Sequence, residues 1–207
     1  GLITLTLALF AYEDIPSHLE NKCKDIAIQG LDKVISRRDY LFELAHYLRG
    51  EAHESGYGGA TNYSESVKCY FISFGCRLEE FVNSGDSDIR VFIKMLHDRI
   101  ASFDKSKLDE RARELQAYVL DKYNNLLDRE RLIDLYIEKL CKNSCSDEEI
   151  GYLYDNSPMI IIDKKRRIAT ELEKHKLNEL SDNALYLLID TTDNPNKKDA
   201  YYAESDR

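Results

Sequence analysis

Nine glycines and three prolines among 207 residues constrain this chain more than any other feature of its sequence. An all-β sandwich or barrel needs turn punctuation at short, regular intervals, and so few Gly and Pro cannot supply it. The stretches between them carry apolar residues three and four apart, which is the helical period. Leu19, Cys23, Ile26 and Ala27 form one such series, and Leu108, Ala112, Leu115, Val119 and Tyr123 another. Hydrophobic residues make up 43% of the chain, enough for a sizeable core. Fourteen Tyr and no Trp provide apolar faces that keep a polar tip.

Helix signals follow in order along the chain. Ser17 and Glu20 have the spacing of a capping box just after Pro16. A second helix is expected over 38–49, on Tyr40, Leu41, Leu44, Ala45 and Leu48, and a loop over the Gly-rich stretch 50–62. Residues 64–82 read as an amphipathic helix ended by an Asn83-Ser84-Gly85-Asp86 turn. Over 88–96 two periods compete. Ile89, Val91, Ile93 and Met95 alternate like a strand, while Ile89, Phe92, Ile93, Leu96 and Ile100 repeat like a helix, and the longer helical series predicts a helix over 88–103. Helices are further expected from Ser106 with Asp109, continuing over 128–142, and from the capping box of Ser146 with Glu149, closed by Pro158.

Three apolar runs depart from this pattern. In the first eleven residues Ile3, Leu5, Leu7 and Leu9 alternate with Thr4, Thr6 and Ala8, which favours a buried strand over a truncated membrane helix or a processed signal core. Residues 159–162 are apolar on every face, as a buried strand is, 185–189 fit a further strand ending at Asp190, and a helix capped by Asp163 between them would complete one parallel crossover unit. The expected fold is therefore a predominantly α-helical α+β domain. Its helical layer spans about 17 to 155, with a small sheet from the N-terminal run and residues near 159–163 and 185–190. One domain, 1–192, would precede a loose polar tail at 193–207.

The net charge of −9 argues against a protein that wraps polyanions, since phosphate contacts need local positive potential. Lys164, Lys165, Arg166 and Arg167 form the one strong basic run, a local patch where nucleic acid could bind. Five cysteines, Cys23, Cys69, Cys76, Cys141 and Cys145, are odd in number and irregularly spaced, which suits a reducing, cytoplasmic setting rather than a disulfide framework. Cys69 and Cys76, seven apart, are expected on the inward face of one helix.

Candidate chemistry falls into two main groups. If the three apolar runs formed one sheet, Glu13/Asp14, Asp163 and Asp190/Asp193 would follow its strand ends, where carboxylates could hold Mg²⁺ for phosphate-ester cleavage. Asp163 also suits a helix cap, and Asp190 and Asp193 suit turns. The second group is Arg90 and His97, which resembles the Arg…His signature of the HEPN family of helical ribonucleases, although Val91 stands where that family commonly has a polar residue. The resemblance implies metal-independent RNA cleavage at a dimer interface. His97-Asp98 is similar to the central dyad of HD-type metal phosphohydrolases, with His46 or His53 and Asp155 or Asp163 as the nominal remaining ligands. Glu43 and His46 match half of a carboxylate-bridged di-iron site, Cys141 and Cys145 lack a second pair, and the Gly-rich loop at 56–59 lacks the Lys-Ser/Thr of a phosphate loop. The segments FELAHYLRG and SDIRVFIKML resemble the opening of GAF-type sensor domains. No residue set dominates, so a non-catalytic binding or regulatory domain, a sensor or protein-interaction module, leads, with no cofactor and with a protein partner or self-association. The alternative is a nuclease acting through Arg90 and His97 or through Asp163 and Asp190. A membrane enters only if residues 1–11 are a truncated anchor.

Overall fold

A computed structural model describes residues 17–38, 41–57 and 59–205. Among them there is no strand, and the expected small sheet is not formed. Nine α-helices make up the described part of the fold: α1 (Ser17–Arg37), α2 (Phe42–Ser55), α3 (Tyr63–Ser84), α4 (Ser87–Ala101), α5 (Glu110–Cys141), α6 (Asp147–Asp155), α7 (Ile162–Leu172), α8 (Asp182–Thr191) and α9 (Pro195–Ser205). The N-terminal apolar run, with Glu13 and Asp14 after it, lies outside the described residues. The other two expected strands are corrected. Residues 157–159 form a 3-10 turn, Ile160 and Ile161 are extended, and Ile162 already opens α7. Residues 185–189 lie inside α8.

The length of the apolar run in α8 has a packing cause. This helix contacts α6, α7 and α9, so Ala184, Leu185, Leu187, Leu188 and Ile189 are all buried, while Asp182, Tyr186 and Asp190, four apart, form an exposed ridge. A helix covered over most of its circumference keeps only a narrow polar stripe. Ser181 caps it by accepting from the Ala184 amide at 3.3 Å, and also donates to the Asp147 carboxylate at the start of α6. Within the expected polar tail, Pro195–Ser205 form α9, tied back by Tyr201, buried and donating to Glu173 at 3.0 Å, and by Lys197, 2.7 Å from the same carboxylate.

Several boundaries move from their expected places. Helix α2 runs on to Ser55, so the Gly-rich loop is confined to 56–62. The two helices expected over 106–142 are one, α5, and its cap is Asp109, whose Oδ1 accepts from the Ala112 amide at 2.7 Å. The predicted Ser146–Glu149 capping box at α6 is present in both directions. The competition over 88–96 resolves as α4, with Asp86 capping it by accepting from the Asp88 amide at 2.7 Å.

The chain divides into two compact units. The first contains residues up to Leu78 together with Val91–Tyr123, and is built on buried Leu31, Leu48, Val67, Tyr70, Phe74, Ile93, Leu96 and Ile100. The second contains Glu79–Arg90 and Asn124–Arg207, with Ile137, Leu153, Ile160, Ile168, Leu172 and Leu188 in its core. Among the described residues no helix is long and apolar enough to cross a membrane.

Candidate functional site

From Val91 onward helix α4 belongs to the first unit and lines a groove on it. Its inward face is set by Ile93, Leu96 and Ile100, all buried. At the same three- and four-residue spacing on the other side stand Val91, Lys94, Met95, Asp98, Arg99 and, just past the helix end, Ser102. With Tyr47 from α2 these six line a groove of about 540 Å³. Val91 is 65% exposed and Met95 40%, so two large apolar side chains face solvent. Lys94 pairs with Asp98 one turn along. Arg99 Nε donates to Glu54 at 2.8 Å, and the buried Tyr70 hydroxyl donates to the same carboxylate at 3.0 Å. Tyr47 donates to Glu51 at 2.7 Å, and burial together with that carboxylate raises its phenol well above the ordinary value.

The sequence missed this groove, yet carried a signal for it. The strand-like alternation over 88–96 exists because Val91 and Met95 are apolar outside the helical stripe. Single exposed apolar residues are common, as at Leu132, Leu135 and Ile162, but Val91 and Met95 stand one turn apart on the same groove.

The sequence-nominated residues sit as follows. Arg90 lies in the second unit, where Glu130 holds its guanidinium at 2.5 and 2.7 Å in a two-pronged pair. His97 lies in the first unit, stacked on Tyr123 with ring centroids 4.1 Å apart, and its Nδ1 is 3.0 Å from Asp98 Oδ1. The two share α4, and each has a carboxylate partner of its own.

Three residues of the basic run, Lys164, Lys165 and Arg166, pair with carboxylates in the second unit, among them the nominated Asp163, Asp190 and Asp193. Lys164 pairs with Asp134 at 2.5 Å, Lys165 with Asp190 at 3.9 Å, and Arg166 with both Asp163 at 3.5 Å and Asp193 at 3.4 Å. Asp163 is the first-turn acid of α7 rather than its cap, which is Ile161. The sheet edge that would gather Asp163, Asp190 and Asp193 around a cation is absent from the described residues. So is any group of three His, Cys, Asp or Glu side chains placed to hold a metal.

His46 is buried against the edge of Phe42, at 4.5 Å between centroids, and its Nδ1 has no hydrogen-bond partner. Burial holds its imidazole below the usual range, and His53 is lowered for the same first reason. Cys69 is buried and its thiol is pushed up to about 11, but Cys76 is exposed, which corrects the expectation that both face inward. A smaller cavity of about 290 Å³ in the second unit is lined in part by Cys145, Asp147, His175 and Ser181. Burial first, and then the Glu149 carboxylate, raise the Cys145 thiol to about 11, so it is not a ready nucleophile. No family model, curated protein or solved structure matches the chain.

Proposed function

We propose that this chain is a non-catalytic binding module that engages a protein partner along α4. The observation that carries this reading is the exposure of Val91 and Met95 side by side on the groove with Tyr47. Exposed apolar side chains rimmed by charge are the usual composition of a protein-recognition surface. The pairing of charges elsewhere supports it further. Lys164, Lys165 and Arg166 are matched by acids, which leaves less positive potential for nucleic acid. The nuclease alternative has weaker support, because Arg90 is held by Glu130 and the nominated Asp residues by the basic run. The reading takes the module to work in a reducing, cytoplasmic setting where Cys69, Cys141 and Cys145 stay thiols.

Two measurements test it. A photo-crosslinking residue in place of Val91 should join the chain to a protein, and the same residue in place of Asp163, far out in solvent, should not. Incubation with RNA, with Mg²⁺ or with EDTA, should leave the RNA intact. Cleavage that disappears in His97→Ala, or on chelation, would replace this reading with the corresponding nuclease.

A further inference from the structure

We propose that the partner seated along α4 is a second copy of this chain, packed antiparallel across a two-fold axis at the level of Leu96. This rests on the binding-module reading and names its partner. The reasoning starts from the order of charges on the groove. Lys94 and Asp98 are opposite in sign, one turn apart, and both more than half exposed. A two-fold interface must be self-complementary, so that residue i meets residue j and j meets i. An axis midway between Lys94 and Asp98 satisfies that condition, setting each Lys94 against the second copy's Asp98. A parallel arrangement would instead set like charges side by side.

The apolar residues fit the same operator. Met95 lies one position from the axis, opposite position 97 of the second copy, so the two Met95 side chains flank the axis staggered by about 3 Å. Val91, five positions before the axis, faces Ala101, five after it, where a small exposed side chain leaves room. Arg99 is already held by Glu54 and adds no unpaired cation to the seam.

The exchange of partners costs little. Within one helix the order Lys then Asp at four residues is the less favourable orientation of such a pair, and an exposed pair contributes little to stability. Across the seam the same charges are shielded by Met95 and Val91, and register is fixed by them.

Sedimentation of the full chain at low salt tests the proposal. Wild type should be a dimer. Lys94→Asp faces two acids with two acids, and Asp98→Lys faces two cations with two cations, so each should shift to monomer with at least a tenfold weaker association. An equimolar mixture of the two variants should recover a heterodimer, because the acids of one variant then meet the cations of the other. Far-UV circular dichroism checks that both variants are folded, and Met95→Glu serves as a third variant that should also be monomeric. A monomeric wild type, a dimer indifferent to both reversals, or a mixture that stays monomeric would overturn it. If wild type is monomeric and the crosslinker at Val91 still joins a different protein, the second copy is wrong and the module reading stands. If the crosslinker joins nothing, both fall.

Discussion

Gly50 stands in the interior of α2 with the ring of Tyr70 where a side chain would be: a Cβ there would lie 2.6 Å from Cε1 and 2.7 Å from Cδ1. Tyr70 cannot withdraw, since it is fully buried and its hydroxyl is bonded to Glu54. Gly50→Ala would gain about 1 kcal/mol of helix propensity, but overpacking of this kind costs about 1–3 kcal/mol. The variant is expected to be net destabilised in urea unfolding. Equal or higher stability would show that the α2–α3 contact is looser than these distances. His46 gives a second prediction at this scale. Its imidazole is buried without a partner for Nδ1, so the folded state disfavours the charged form. The unfolded chain therefore takes up a proton first as pH falls through about 6.5, and stability that is full above that pH declines below it. His46→Leu should flatten the decline between pH 7 and 5, with His53 contributing the same to both proteins. Parallel stability–pH curves for wild type and variant would sink the idea.

At the scale of elements, the C-terminus of α4 depends on a side chain from α5. Gln116 is buried and its amide donates to the Ile100 carbonyl at 2.8 Å, which otherwise accepts a long bond from the Phe103 amide at 3.4 Å, and to the Phe103 carbonyl at 3.0 Å just past the helix end. Gln116→Leu keeps the volume, strands the Phe103 carbonyl and leaves Ile100 with the long bond alone, a loss of about 1–3 kcal/mol. Amide hydrogen exchange should quicken over 97–103 more than in α3, and unchanged protection there would refute the capping role. The sequence showed most of these elements wherever one face was polar: α3, α5 and the α6 capping box lie close to where their spacing puts them. It failed where polarity gave no contrast. Within Leu185 to Ile189 the exposed position is itself an aromatic, Tyr186, and three helices cover the other positions, so the run fits a strand as well as a buried helix. The site was legible only in the reverse sense. Val91 and Met95 blurred the helical pattern of α4, and that blur was the groove. The ion pairs of Lys164, Lys165 and Arg166 could not be read at all, since Asp134, Asp190 and Asp193 reach them only through tertiary packing.

For the whole molecule, the path of the chain decides how it can be divided. Neither unit is a continuous stretch, because the chain passes from one to the other within α3, α4 and α5. Residues 79–90 belong to the second unit although they lie between two parts of the first. Within that segment Phe81 is completely buried, Gly85 holds a left-handed φ of 62° with the Ile160 carbonyl 2.8 Å from where a Cβ would be, and Arg90 is paired with Glu130. A fragment ending at Tyr123 keeps the whole first unit but removes Ile160 and Glu130 from this segment. Leaving one large aromatic side chain exposed rather than buried costs about 1.5–3 kcal/mol, a sizeable share of a typical domain's stability. The fragment 1–123 is therefore expected to bind an apolar dye strongly and to melt without a sharp transition, even though its own unit is complete in sequence. Excising 79–90 and joining the flanking helices through a short polar linker should reduce the dye binding. A fragment 1–123 that melts as cooperatively as the full chain, with no dye binding, would show that residues 79–90 do not need the second unit.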